Sequence, residues 1–164
     1  ILAVAGALVL MGLYYGLFRP RMDRQFVRDM ENLRLEMGIA SRVLFGGIVE
    51  EILFRWGVMT GLVWLGIRIS GSPTPLVMWG AIVGAGVLFG LSHVPGSLAL
   101  GAKRTPLLVA GAVMMNLSVG LIFGWLYWRY GLLAAMIAHA LVHVVWLPFD
   151  RHFFATLPAK AQAI

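Results

Sequence analysis

The chain has 164 residues, of which 60% are hydrophobic and only 12% charged, and its formal net charge is +6. Soluble domains carry about a quarter charged residues, and a core of this size has no room for so much apolar surface, so lipid must cover the excess and a single water-soluble domain is excluded. Cysteine is absent, which excludes disulfides, thiolate metal sites and a cysteine nucleophile; the basic residues flank hydrophobic stretches, which assigns them to the membrane surface and not to nucleic acid.

Spans are expected in chain order at Ile1–Phe18, Ser41–Ile67, Leu76–Leu100, Pro106–Trp128 and Gly131–Pro148, since about 20 mostly apolar residues cross a bilayer. The first is slightly short and opens without a Met, and is read as the start of a clipped chain with helices missing upstream. It has neither the basic n-region nor the small-residue cleavage site of a signal peptide. Between the first two spans, Arg19–Gly38 is the one polar segment. Within it Met22, Phe26, Met30, Leu33 and Met37 recur at helical spacing, with Arg24, Arg28, Glu31 and Arg34 mostly between them. That pattern predicts an amphipathic helix lying in the membrane interface. Ser70–Pro75 is a short turn rich in Gly, Ser and Pro. Trp56, Trp64, Trp79, Trp125, Trp128 and Trp146 fall largely towards span ends, where an aromatic belt would place them.

The fold class expected is therefore all-α: a polytopic transmembrane helix bundle of about five spans plus an interfacial amphipathic helix. It forms a single transmembrane domain over residues 1–164, with a motif-bearing core at 41–148 and the interfacial helix at 19–38. Arg19, Arg21, Arg24, Arg28, Arg34 and Arg42 lie in or beside the first connection, Lys103 and Arg104 in the third, Arg151 and Lys160 in the tail. Only Arg68 and Arg129 lie in the second and fourth, so the excess puts the first and third connections and the C-terminus in the cytoplasm.

A charge at mid-bilayer costs at least a few kcal/mol, so each one inside a span needs a reason. The candidates are Glu50, Glu51 and Arg55 in the second span, His93 in the third, and His139 and His143 in the fifth; Asn116 and Ser118 in the fourth are neutral and read as interhelical hydrogen-bonders. Residues four apart share a helix face, so Glu51 faces Arg55. Glu50 is rotated by about 100° from Glu51 and left for something else. His139 and His143, also four apart, project from one face. Pro95 and Gly96 after His93 are expected to interrupt their helix and free backbone groups. Counted from the span boundaries, Glu50, His93 and His143 each lie roughly 10–12 Å below the cytoplasmic edge at about 1.5 Å per residue, which points to one shared site. In a low-dielectric cavity a carboxylate beside a histidine can activate water, and further imidazole N–H groups can hold an oxyanion. Those are the parts of a peptide hydrolase.

Glu50-Glu51-x-x-x-Arg55, then Phe89-x-x-x-His93, then His139-Ala140-x-x-His143 on successive spans resembles the CAAX protease and bacteriocin-processing family, which includes the type II CAAX prenyl endopeptidases. The resemblance covers roughly Ser41 to Trp146. It implies an all-helical intramembrane glutamic endopeptidase in which Glu50 and His93 activate water and His139 and His143 stabilise the oxyanion, supported by Glu51, Arg55 and Phe89, with no cofactor and no metal. The last motif position is usually Asn in that family and here is His143; a neutral imidazole also donates a hydrogen bond. The implied partners are the lipid bilayer and a membrane-associated protein or peptide substrate. The implied location is a bacterial or archaeal inner (cell) membrane, with the site in the cytoplasmic half. The family's substrates are prenylated C-termini, leader peptides or C-terminal membrane tails, and the sequence does not choose among them. Two other classes compete. A zinc metalloprotease would use the same histidines and Glu50 as ligands, although no His-Glu-x-x-His motif occurs. A haem- or quinone-binding subunit would use His93 with His139 or His143 as axial ligands, and has no need of the Glu50-Glu51-Arg55 group. A catalytically silent scaffold of the same fold is the blandest reading; retention of every polar role except the Asn argues against it.

Overall fold

The computed structural model describes residues 1–155, which form helices joined by short links. Helix α1 spans Leu2–Arg21 and is stopped around Pro20. The next helix starts because the Asp23 side chain caps it, accepting hydrogen bonds from the backbone N–H groups of Gln25 (2.9 Å) and Phe26 (3.0 Å). Gly38, at φ 65° and ψ 172°, then breaks the rod. A side chain would strain that left-handed backbone, so glycine marks the division between α2 (residues 24–37) and α3 (residues 39–70). Within α3, Val43–Glu50 and Ile52–Met59 turn with the wide i→i+5 pattern, and Thr60–Ser70 is ordinary α-helix. Such wide turns are rare and concentrate at functional sites.

Helices α4 (Pro75–Ala99) and α5 (Pro106–Tyr130) open alike: Thr74 and Thr105 cap the first turn and a proline, whose missing N–H costs nothing there, occupies the first helical position. Gly131 at φ 85° turns the chain into α6 (Leu132–Ala155). Together α1, α4, α5 and α6 supply four helices long and apolar enough to cross a membrane, and α3 is the further rod that carries the ionisable residues. The chain is an integral membrane protein.

The closest pairing is α4 with α5. Gly86 and Gly90, four apart, let the backbones approach: a side chain at Gly90 would meet the backbone of Ala112 and Val113, and one at Gly120 would meet Gly86 Cα at 3.3 Å. Small residues at this spacing are the usual means of helix association in lipid, where dispersion contacts replace the hydrophobic drive. One interior cluster joins α1, α5 and α6 through Tyr14, Val119, Phe123, Ala135, Val142 and Trp146. Leu44, Phe45, Trp56, Trp64, Leu76 and Leu133 point outward, as lipid-facing residues do. Phe18 and Met22 sit over Gly111 near the start of α5, while Arg34 and Arg42 reach Asp150 near the end of α6. The first connection, the α4–α5 link and the end of α6 thus share one end of the bundle, the pairing that the basic-residue count anticipates. Lys160 lies outside the described residues.

Several expectations change. Helix α4 runs through Pro95 and Gly96 to Ala99 without interruption; the proline ring only denies a hydrogen bond to the carbonyl of Leu91, four residues back. Helix α6 continues past Pro148, which brings Asp150 inside the bundle. The apolar stripe of α2 divides: Phe26 is buried with Val27, whereas Leu33 and Met37 are 38% and 45% exposed. Glu31, expected on the solvated face, turns inward because Tyr14 and Arg19 meet its carboxylate. Trp146 is buried rather than part of a lipid-facing belt.

Candidate active site

Glu50 and Glu51 stand at the junction of the two wide-turn stretches of α3. Glu51 is fully buried and uses both oxygens: Oε2 accepts from Arg55 Nε at 3.1 Å, and Oε1 lies 2.8 Å from His139 Nδ1. Arg55 is fully buried too. Its two terminal nitrogens have no oxygen partner, and the guanidinium instead lies 5.4 Å from the ring centre of Phe89 and 5.8 Å from that of Phe123. Two aromatic faces thus share the solvation of a cation that Glu51 neutralises. Gly120 lies beside it: a Cβ there would stand in ordinary contact with Arg55 Nη2, at 3.7 Å.

Glu50 has no arginine partner among the described residues. Its Oε1 lies 3.8 Å from His93 Nε2 and its Oε2 3.8 Å from His139 Nε2. These separations exceed a direct hydrogen bond and suit a shared water. The remaining contacts of the rings determine which nitrogen carries hydrogen. His93 Nδ1 is 2.8 Å from the carbonyl of Phe89. A carbonyl only accepts, so Nδ1 is the donor and Nε2 of the neutral ring is a lone pair. His139 donates from Nδ1 to ionised Glu51 in the same way, which leaves its Nε2 facing Glu50. Two imidazole lone pairs and a carboxylate therefore surround one small volume. A water molecule in that volume can donate to two of these three acceptors at a time.

Aromatic contacts hold these rings. Phe89 touches His93 edge-on at 4.9 Å and packs on Phe54 at 4.8 Å, while Phe123 stacks on His139 at 4.6 Å and 20°. His143 stacks on the other side of His139 at 5.0 Å, and both of its ring nitrogens are buried without a hydrogen-bond partner. Gly46 lies under this pair. A Cβ there would overlap His143 Nε2 and come within 3.4 Å of His139 Nε2; at Gly47 it would press on Ala140. The glycines let α6 lie against α3 with two imidazoles turned towards Glu50.

All of the sequence-derived candidates come together here: Glu50, His93, His139 and His143, with Glu51, Arg55 and Phe89 around them. Glu50 is part-buried and His93 is the more open, its side chain 39% exposed. Sequence reasoning missed Gly46, Gly47 and Phe123. The adjacent glycines one turn before the Glu pair were the available signal; Phe123, one apolar residue among many in its span, gave none. It also missed that Glu51 grips His139.

A family model described as "Type II CAAX prenyl endopeptidase Rce1-like" matches residues 34–145. Neither a curated protein nor a solved structure gives a match.

Proposed function

We propose that this chain, which belongs to the type II CAAX prenyl endopeptidase Rce1-like family and is thereby a membrane endopeptidase, hydrolyses its peptide bond by glutamate-activated water. The observation that carries the reading is Glu50, a part-buried carboxylate without an arginine, held 3.8 Å from each of two imidazole Nε2 atoms. A water in that volume gives one proton to Glu50 while the Nε2 lone pair of His93 orients it. Its oxygen attacks the carbonyl carbon, and negative charge passes to the carbonyl oxygen. His143, whose ring N–H has no other partner, donates to that oxyanion, and His139, held through Nδ1 by Glu51, stacks on His143 and fixes its ring. The C–N bond then breaks, and the proton taken from water goes to the departing nitrogen. The substrate is a membrane-associated protein or peptide, and the site faces the cytoplasmic half of the membrane, on the side given by the basic connections.

The test is peptide cleavage by purified variants of matched thermal stability. Glu50→Gln keeps shape and hydrogen-bonding reach but accepts no proton at neutral pH, so turnover is expected to vanish with the fold intact. His143→Ala is expected to cost on the order of 10²–10³ in rate. Chelators are expected to leave wild type unchanged. Substantial turnover by Glu50→Gln, or loss on chelation restored by zinc, overturns this mechanism.

A further inference from the structure

The basic side chains fall into two sets. Arg19, Arg34, Arg42 and Arg55 each pair with a carboxylate inside the bundle. Arg21, Arg24, Lys103 and Arg104 are exposed and form no ion pair among the described residues. These four come from distant parts of the chain, the end of α1 with the start of α2 and the α4–α5 link, yet the fold gathers them at one cleft. It lies between the start of α2 and the start of α5 at the basic end of the bundle and has a volume of about 230 Å³. Arg21 and Lys103 stand in its wall, and Arg24 and Arg104 directly follow wall residues Asp23 and Lys103 in the chain. Arg21 Nη1 donates to the Leu17 carbonyl at 2.7 Å, which ties the guanidinium to the end of α1 and leaves its other N–H groups free. The rest of the wall is largely apolar: Met22, Phe26, Leu107 and Leu108. Asp23 is its one acid, and Asp23 Oδ1 is occupied by the first turn of α2.

Height in the membrane decides what fits there. The first membrane-crossing helix ends at Arg21 and α5 begins at Pro106, so the cleft sits where two spans leave the hydrocarbon and enter the headgroup layer. A ligand at that level meets unpaired positive charge together with apolar side chains. A free anion would answer the charge and leave the apolar wall uncovered. A zwitterionic lipid would cover the wall, but its own ammonium offsets its phosphate. An anionic lipid does both, and basic pockets between membrane helices are the usual seats of such headgroups. We propose that this cleft binds one anionic phospholipid, its phosphate between Arg21 and Lys103 and the first carbons of its chains against Met22, Leu107 and Leu108. Arg24 and Arg104 add to the attraction from beside the cleft. The lipid would join the start of α2 to the start of α5, where Met22 already lies over Gly111. Such binding is independent of the glutamate chemistry.

Native mass spectrometry tests this on the wild-type protein in an uncharged detergent, titrated with phosphatidylglycerol or with phosphatidylcholine of the same acyl chains. A basic residue near the surface adds about fivefold to the binding of an anionic lipid, so with two in the wall phosphatidylglycerol is expected to bind about twentyfold more tightly. Equal affinity for the two lipids overturns the proposal. Arg21→Ala combined with Lys103→Ala is expected to bring the two affinities within about twofold of each other; a preserved preference overturns the assignment. Arg68→Ala combined with Arg129→Ala removes two cations at the opposite end, beside Trp64 and Trp128, and is expected to keep the preference. An equal loss in that control means that bulk charge alone acts, and overturns the site. Leu107→Trp keeps every charge and fills the cleft, and is expected to weaken phosphatidylglycerol binding; unchanged binding places the lipid elsewhere. Millimolar inorganic phosphate is expected not to displace the lipid, and displacement would make a free anion the occupant. Arg21 and Lys103 are exposed, so their double variant is expected to melt with the wild type; if Leu107→Trp does not fold, the charge variants decide.

Discussion

The described residues hold two buried ionic groups, and they are built alike up to a point. At the end of the bundle Arg34 lies 4.7 Å from the ring centres of both Tyr14 and Trp146 and pairs with Asp150; in the middle Arg55 lies against Phe89 and Phe123 and pairs with Glu51. They differ in what is left over. At the end, both carboxylates are claimed by arginines, Glu31 by Arg19 through two hydrogen bonds and Asp150 by Arg34 and Arg42, so the surplus is cationic. In the middle, one carboxylate satisfies the only arginine and a second, Glu50, remains with imidazoles alone. A structural cluster consumes its acids, and a reactive one keeps one in reserve.

The largest effect expected from this contrast follows removal of a claimed acid in the middle. Glu51→Ala strands Arg55 and releases His139 together, and should cost about 3–5 kcal/mol; Glu50→Ala should cost far less. Thermal unfolding in detergent compares them, and equal stability of both variants would erase the division between the two carboxylates. At the bundle end, Asp150→Ala leaves Arg42 without a carboxylate but Arg34 with Glu31, and should cost about 3 kcal/mol, less than Glu51→Ala because no imidazole is released with it. A larger loss than that of Glu51→Ala, read in the same melts, would reverse the ranking of the two groups. Arg34→Lys keeps the charge but gives up the flat stack between Tyr14 and Trp146, and should cost about 1 kcal/mol. The smallest effect belongs to Asp23, whose carboxyl is held below the usual range by the Phe26 backbone hydrogen bond. A depressed value means that its cap is present above the ordinary carboxylate range and lost as pH falls through the lowered one. Asp23→Ala should speed hydrogen exchange in the first turn of α2 and leave turnover unchanged at neutral pH.

How much of this was legible depends on how far apart the partners lie in the chain. Glu51 and Arg55 are four residues apart, so their pairing follows from helix geometry, and the shared depth of Glu50, His93, His139 and His143 follows from counting inward from charged boundaries. The grip of Glu51 on His139 joins residues 88 apart, and no local rule reaches that far. Glu31 and Asp150 misled for a different reason. A charged residue near a span end is ordinarily solvated, and only the meeting of α1, α2 and α6 reveals Tyr14, Arg19 and Arg34 waiting for them. The prolines misled as well: Pro95 and Pro148 signal a stop, yet both are carried inside continuous helices, which neighbouring helices in a membrane permit.

The wide turns of α3 leave a mark on the order of its residues. Gly47, Glu51, Arg55 and Met59 all face the interior at a strict spacing of four. In an ordinary α-helix four residues turn through about 400°, so such a row would drift by about 40° each step and stand about 120° off after three. Mixing wide turns with ordinary ones removes the drift, and the row runs straight along the rod like teeth on a rack. Deleting one residue between Glu51 and Arg55 would therefore do more than shorten the helix. It would turn the two by about 100° relative to each other and part the carboxylate from its arginine.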